Sequence, residues 1–244
     1  MHTYNMLADG DRVLVAVSGG VDSLVLAWLL EFWQQKAPIS YDVIALHIDM
    51  EPDSGQPGTS ARAVQQQLDR LEIQSAVIPT QWQPPKSATG SDFSTKDVCY
   101  RCASRRRKQL FDFADRKNFT KIALGHHQDD IIETFFINLC FAGNISTMVP
   151  RQDLFDGRLS LIRPLAYLSK TDIYTVADRL KIDPVRSSCP LSEQTGRMEI
   201  RHILDNLYAS IPGSRSKIFA ALGNVRHGYL LKQKETGKIA GDEE

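Results

Sequence analysis

Apolar and polar positions along this chain follow two periods. Val13-Leu14-Val15-Ala16-Val17 is an unbroken apolar run of strand length, and Leu24 to Leu30 is apolar at helical spacing. Val43-Ile44-Ala45-Leu46-His47-Ile48 predicts a second buried strand, Ala76-Val77-Ile78 a short third and Ile122-Ala123-Leu124 a fourth. Helical patterns lie near Ala61 to Leu71 and Ala103 to Lys117, and Ile131 to Leu139 follows the fourth strand as another. This alternation predicts an α/β fold built on a doubly wound parallel sheet, with ligands at the carboxyl ends of the strands. Leu159 to Ile162 is expected as an edge strand.

Three further helices are expected near Thr171 to Leu180, Met198 to Ala209 and Ser216 to Leu231, punctuated by Pro184, Pro190, Pro212 and Gly213. Polar loops rich in Gly or Pro, Asp53 to Thr59 and Gln81 to Ser94, follow strands and fall on the expected ligand face. The organisation read from this is a main domain over 1–188, a helical extension over 189–235 packed on it, and a charged tail over 236–244.

Composition narrows the class. The chain has 244 residues, 42% of them apolar, enough for one sizeable core. Lys plus Arg and Asp plus Glu both number 29, so the net charge is zero, which argues against a uniformly basic nucleic-acid binder. One local basic run, Arg105-Arg106-Arg107-Lys108, could draw a polyanion or serve as a solvated helix face. No apolar run is long enough to cross a bilayer, and Met1-His2-Thr3-Tyr4-Asn5 lacks the pattern of a signal peptide. A cytoplasmic protein without a membrane partner is expected. In that compartment the four cysteines raise metal binding or catalysis before disulfides.

The first chemical motif is Ser18-Gly19-Gly20-Val21-Asp22-Ser23, between the first strand and the first helix. Glycines admit phosphate close to the backbone, and first-turn amides have no intrahelical partner. Ser18 and Ser23 add hydroxyls. Asp22 repels phosphate and is better suited to holding the loop or a bound Mg2+. No Gly-Lys-Ser/Thr closes the loop, so it is not a Walker A sequence. The hexapeptide instead resembles the PP-loop of the ATP-pyrophosphatase superfamily, which cleaves ATP between its α and β phosphates and uses AMP to activate a carbonyl oxygen.

The second motif, Gly125-His126-His127-Gln128-Asp129-Asp130, follows the fourth strand. Gly125 permits close backbone approach. One aspartate is expected to cap the following helix, and the other to hold Mg2+ or take a proton. The third motif is Cys99-Tyr100-Arg101-Cys102, expected at a loop-to-helix junction, with a distant Cys189-Pro190. Three thiolates can hold three irons of a 4Fe-4S cluster and leave the fourth open. A redox dithiol, a zinc site or unrelated thiols share that spacing. Cys140, within an apolar helical stretch, is expected as a core residue.

The ordered set of motifs, with Ile162-Arg163-Pro164-Leu165 and Gly223-Asn224-Val225-Arg226, resembles the tRNA 2-thiocytidine synthetase (TtcA-like) family of PP-loop sulfurtransferases, from about Asn5 to Leu231. The resemblance implies an adenine-nucleotide-hydrolase-like fold and adenylation of the cytosine C2 oxygen by ATP, with sulfur then displacing AMP. It implies that Ser18, Gly19, Gly20, Asp22 and Ser23 bind phosphates. It places His47, Ile48 and Gly125 around the adenosine, and Asp129 or Asp130 at Mg2+ or the reacting groups. Cys99, Cys102 and Cys189 become cluster ligands, with Cys99 and Cys102 taking part in sulfur transfer. The implied partners are tRNA, a sulfur donor such as a cysteine desulfurase or sulfide, and a second copy of the chain. The sequence departs from that family at Val21, where Lys is usual. A PP-loop lysine-ligating or amidating enzyme, or a cluster-based nucleotide sensor, shares parts of the pattern; the cysteines distinguish the thiolase from the ligase.

Overall fold

The computed structural model describes residues 1–81, 95–185 and 196–231. Its centre is β1 (Asp11–Ala16), whose Val13, Leu14 and Val15 are fully buried. Burial on both faces explains the unbroken apolar run. In chain order there follow α1 (Val21–Gln34), β2 (Tyr41–Asp49), α2 (Thr59–Arg70), β3 (Ser75–Pro79), α3 (Thr95–Arg116), β4 (Lys121–Ala123) and α4 (Gln128–Phe141). Then come β5 (Arg151–Leu154), β6 (Leu159–Ile162), α5 (Lys170–Leu180), α6 (Gly196–Ser210) and α7 (Ser214–Leu222).

The six strands order as β3-β2-β1-β4-β6-β5. Five run parallel; β5 pairs antiparallel with β6. The doubly wound parallel sheet is therefore present, with one correction: β6 is an inner strand, and the edge is β5. The sequence pattern hides β5 because Arg151-Gln152-Asp153-Leu154 carries one apolar residue, as an edge strand can. Strand order reverses between β1 and β4, where Val15 sits opposite Ala123. Such a switch point opens a crevice beyond the carboxyl ends of the two strands.

Side chains alternate across the sheet. Val13, Val15, Val43 and Ala45 join α1, α2 and α5 in one cluster. Leu14, Leu46, Ile48 and Ile122 meet Leu110 and Ala114 of α3 in another. A third, smaller cluster joins Ile132 of α4 to Ile200 and Leu204 of α6, with Phe219 of α7 against it. Glu133 reinforces that packing: it is buried and takes two hydrogen bonds from Arg201, 2.8 and 3.0 Å.

Two other boundaries differ from expectation. α3 begins at Thr95, so Cys99 and Cys102 lie inside the helix and not at its junction with a loop. The last expected helix, Ser216 to Leu231, ends at Leu222 against Gly223, and a 3-10 turn at His227–Tyr229 follows. Among the described residues beyond Gly223 no apolar stripe is buried: Tyr229 and Leu231 are exposed. Cys189, Pro190, most of the Gln81 to Ser94 loop and the 236–244 tail lie outside the described residues. No helix among those described is long and apolar enough to cross a membrane.

Candidate functional site

The loop after β1 is built to leave the start of α1 open. Val17 N–H extends the β1–β2 ladder to the Leu46 carbonyl, 2.9 Å. Gly19 has φ +94°, and a Cβ there would fall 2.8 Å from Val64 Cγ2, so both conformation and space require glycine. Its carbonyl accepts from Val185 N–H at 2.9 Å. Gly20 is the N-cap of α1 and brings no side-chain acceptor, so the first-turn amides keep their capacity for an anion. Ser23, buried, donates to the Gly20 carbonyl (2.9 Å) and accepts from Ser18 N–H (3.2 Å). Ser23 thus shapes the loop, and the exposed Ser18 offers its hydroxyl outward.

Val21 is buried in the core under α1. Asp22, next to it, has an Oδ1 that is buried and without a hydrogen-bond partner. Burial chiefly raises its pKa, Asp130 adds to the rise, and the charges of His127 and Lys170 oppose it. An orphaned carboxylate oxygen at an open helix N-terminus fits a Mg2+–nucleotide: the cation would satisfy the oxygen and the amides the phosphates.

The β4 loop closes the other side of the crevice. A Cβ on Gly125 would lie 3.2 Å from the Asp22 carbonyl carbon and the Ser23 nitrogen, so this glycine lets the two loops touch. The expected aspartate cap is corrected here. His127 is the N-cap of α4: its Nδ1 accepts from Asp129 N–H at 3.2 Å, and its own N–H donates to Asp130 Oδ2 at 3.0 Å. His127 Nε2 stands 3.4 Å from Asp130 Oδ2 and 3.9 Å from Asp22 Oδ1. Asp130 therefore faces the crevice with Asp22. Asp129 points away, accepting from Lys170 N–H (3.0 Å) and lying 3.3 Å from Arg215 Nε. A cavity of about 390 Å³ opens on that side, among His127, Asp129, Lys170, Tyr174, Tyr208 and Arg215.

At the end of β2, His47 is buried and its Nδ1 contacts the Val17 carbonyl at 2.9 Å. Burial lowers its pKa, so it stays neutral and props the PP-loop from below. Ile48 is buried against α3. Asp49, the last residue of the strand, accepts from the amides of Glu51 (2.9 Å) and Gly58 (2.7 Å) and so folds the loop after β2.

Cys99 and Cys102 are half-buried on α3 and share one helix face by their spacing. Arg106 is one turn further along, and its charge bears on His47. This face of α3 therefore looks toward the strand ends. Two thiolates at that spacing suit iron–sulfur ligation; Cys189, expected as a third ligand, lies outside the described residues. Among the described residues no group of three His, Cys, Asp or Glu side chains could hold a metal. Cys140, expected in the core, is exposed near the end of α4.

Sequence reading missed Lys170, and it named the buried Arg163 only as part of the Ile162–Leu165 motif, without a role. Lys170 opens α5 and is remote in sequence from Asp22, so only the packing of α5 on α1 unites them. Arg163 follows β6, and its Nε donates to His126 Nδ1 at 3.3 Å. Burial, aided by the neighbouring Arg163 charge, keeps His126 neutral, with a pKa lowered to about 4.

The family model for the PP-loop domain matches residues 2–207. The chain is 36% identical over 233 residues to tRNA-cytidine(32) 2-sulfurtransferase of Pseudomonas syringae pv. tomato, covering 95% of this chain and 82% of that one. It is 35% identical to the enzyme of the same name from Azotobacter vinelandii, with coverage of 95% and 82%. Its fold also matches the U34-tRNA thiolase NcsA of Methanococcus maripaludis, solved with its 4Fe-4S cluster, at TM-score 0.70 and 22% identity, over 90% of this chain and 73% of that one.

Proposed function

This chain belongs to the PP-loop family of tRNA-cytidine 2-sulfurtransferases, and from that premise we propose that it replaces the C2 oxygen of a tRNA cytidine with sulfur at the cost of ATP. The observation that carries the reading is the crevice between β1 and β4. There the uncapped start of α1 and the orphaned Asp22 oxygen face the strand ends toward which the cysteine face of α3 is turned.

In this reading Ser18 and the amides after Gly19 and Gly20 hold the phosphates. Asp22, with Asp130 beside it, holds Mg2+. His47 keeps the loop in shape from beneath, and Ile48 and Gly125 flank the adenosine. The amide-like C2 oxygen is a poor leaving group; bonded to the α phosphate of ATP it departs as AMP, and pyrophosphate leaves in that first step. A sulfur nucleophile then forms the new bond at C2 as the C2–O bond breaks. Cys99, Cys102 and Cys189 would hold a 4Fe-4S cluster, which supplies an open iron position able to carry the sulfur. The sulfur enters at the sulfide level, as free sulfide or released from a desulfurase persulfide by a thiol reductant, and the enzyme works as a homodimer.

Thionucleoside profiling of tRNA from a strain lacking the gene tests this. The reading expects 2-thiocytidine to vanish and to return with the wild-type gene; an unchanged profile overturns it.

A further inference from the structure

Two cationic side chains are buried among the described residues, Lys121 and Arg163. Lys121 has a counter-charge, Asp11, at 3.7 Å. Arg163 is 5% exposed and forms no ion pair with any described residue; its guanidinium has only neutral acceptors, His126 Nδ1 and the Val149 carbonyl. A buried charge without a partner is costly, and a fold keeps one where a ligand completes it.

The position of Arg163 says which ligand. Its N–H donates to the Pro150 carbonyl at 2.8 Å, directly after β6 and at the carboxyl end of the sheet. Two strand positions separate it from β1, so it lies past the PP-loop and beside the second loop, Gly125 to Asp130. The charge that bears on it comes from Arg107, an exposed residue of the same helix as Cys99 and Cys102. Arg107 thus adds positive charge near Arg163, and no described carboxylate forms an ion pair with the Arg163 guanidinium. His126, whose Nδ1 accepts from Arg163, is held neutral by burial and cannot balance the charge.

We propose that Arg163 and Arg107 form a phosphate subsite that holds the RNA backbone next to the cytidine being modified. This rests on the reading that tRNA is the substrate. The subsite gives the basic run a use: Lys108 is tied to Asp112 at 2.7 Å, while Arg107 is exposed and has no ion pair with a described residue. Phosphate contacts of this kind set the register of an RNA without reading its sequence. They would place one ribose-phosphate unit so that its base reaches the crevice.

The test is tRNA binding and turnover by the reconstituted protein, for wild type, Arg107→Gln and Arg163→Lys. Arg107→Gln is a surface change and keeps the comparison valid if Arg163→Lys folds poorly. The expected result is a rise of roughly tenfold in Kd and KM for tRNA in both variants, with a salt slope shallower by about 1 in Arg107→Gln, which loses a charge, and unchanged in Arg163→Lys, which keeps its charge and loses the guanidinium geometry. KM for ATP is expected to stay unchanged. A raised KM for ATP with tRNA binding intact assigns the subsite to the nucleotide and overturns the proposal. Unchanged values for both make Arg163 a structural residue and overturn it equally. Wild-type protein that binds tRNA but forms no thionucleoside overturns the sulfur-transfer reading alone, since the binding comparison still decides the subsite.

Discussion

Asp22 Oδ1 lies 3.9 Å from His127 Nε2 and has no hydrogen-bond partner. One group belongs to the first turn of α1 and the other caps α4. Their meeting across the β1–β4 switch point turns two sequence motifs into one site.

Asp22→Asn removes the charge while keeping the shape. Because burial is the largest influence on this carboxyl and raises its pKa, the fold holds its charge at a cost. The variant is expected to melt at the same temperature or higher, and to lose about 100-fold or more in AMP formation. Calorimetry and an assay of pyrophosphate release measure the two.

Lys170→Met addresses the position where Val21 stands in place of the usual lysine. Val21 is packed in the core and cannot be the phosphate ligand, whereas Lys170, with its Nζ over the Tyr174 ring, is a cation whose charge helps to lower the Asp22 pKa. Removal of one charged hydrogen-bond donor predicts a rise in KM for ATP of about tenfold or more, with Lys170→Arg retaining most of the affinity. Initial rates at varied ATP decide it.

Gly125→Ala places a methyl 3.2 Å from the backbone of Asp22 and Ser23. The neighbour is backbone, so the two loops must separate. Overpacking of this kind costs about 1–3 kcal/mol, which for a chain of this size lowers Tm by roughly 2–12 °C. Nucleotide affinity falls with it, as seen by titration with a non-hydrolysable ATP analogue.

His126 makes stability depend on pH. Its pKa falls from 6.5 to about 4 on folding, so its contribution is present above pH 6.5 and is lost as pH drops toward 4. Protonation also removes the acceptor for Arg163 Nε. Asp22 works in the opposite direction, since its raised pKa favours the fold at low pH and that contribution is lost as pH rises. Melting curves between pH 7 and 4.5 are expected to shift less for His126→Asn than for wild type, by up to about 3 kcal/mol of difference.

Much of this architecture was legible in the chain because it is local. A strand, a Gly-Gly loop and an apolar helix are consecutive, so the loops after β1 and β4 could be placed from periodicity and turn residues, and the resemblance of the first to a PP-loop gave it a role. What escaped depends on packing between distant segments. Adjacent aspartates read alike, yet the His127 cap turns Asp130 to the crevice and leaves Asp129 to Lys170 and Arg215. β5 is nearly all polar and becomes a strand only through β6. The sequence marks Arg163 only as a member of the Ile162-Arg163-Pro164-Leu165 motif; its burial without a counter-charge arises from the pairing of β4 with β6 and the packing of α3 on the sheet.

The most direct measurement combines both halves of the proposed chemistry in one tube. Protein purified without oxygen and reconstituted with iron and sulfide is given Mg2+–ATP, sulfide and a tRNA, and AMP and 2-thiocytidine are counted together. The account predicts equal amounts of the two, loss of 2-thiocytidine in Cys99→Ala and Cys102→Ala, and its retention in Cys140→Ala. AMP and pyrophosphate without any thionucleoside, or full thiolation by Cys99→Ala, would contradict it.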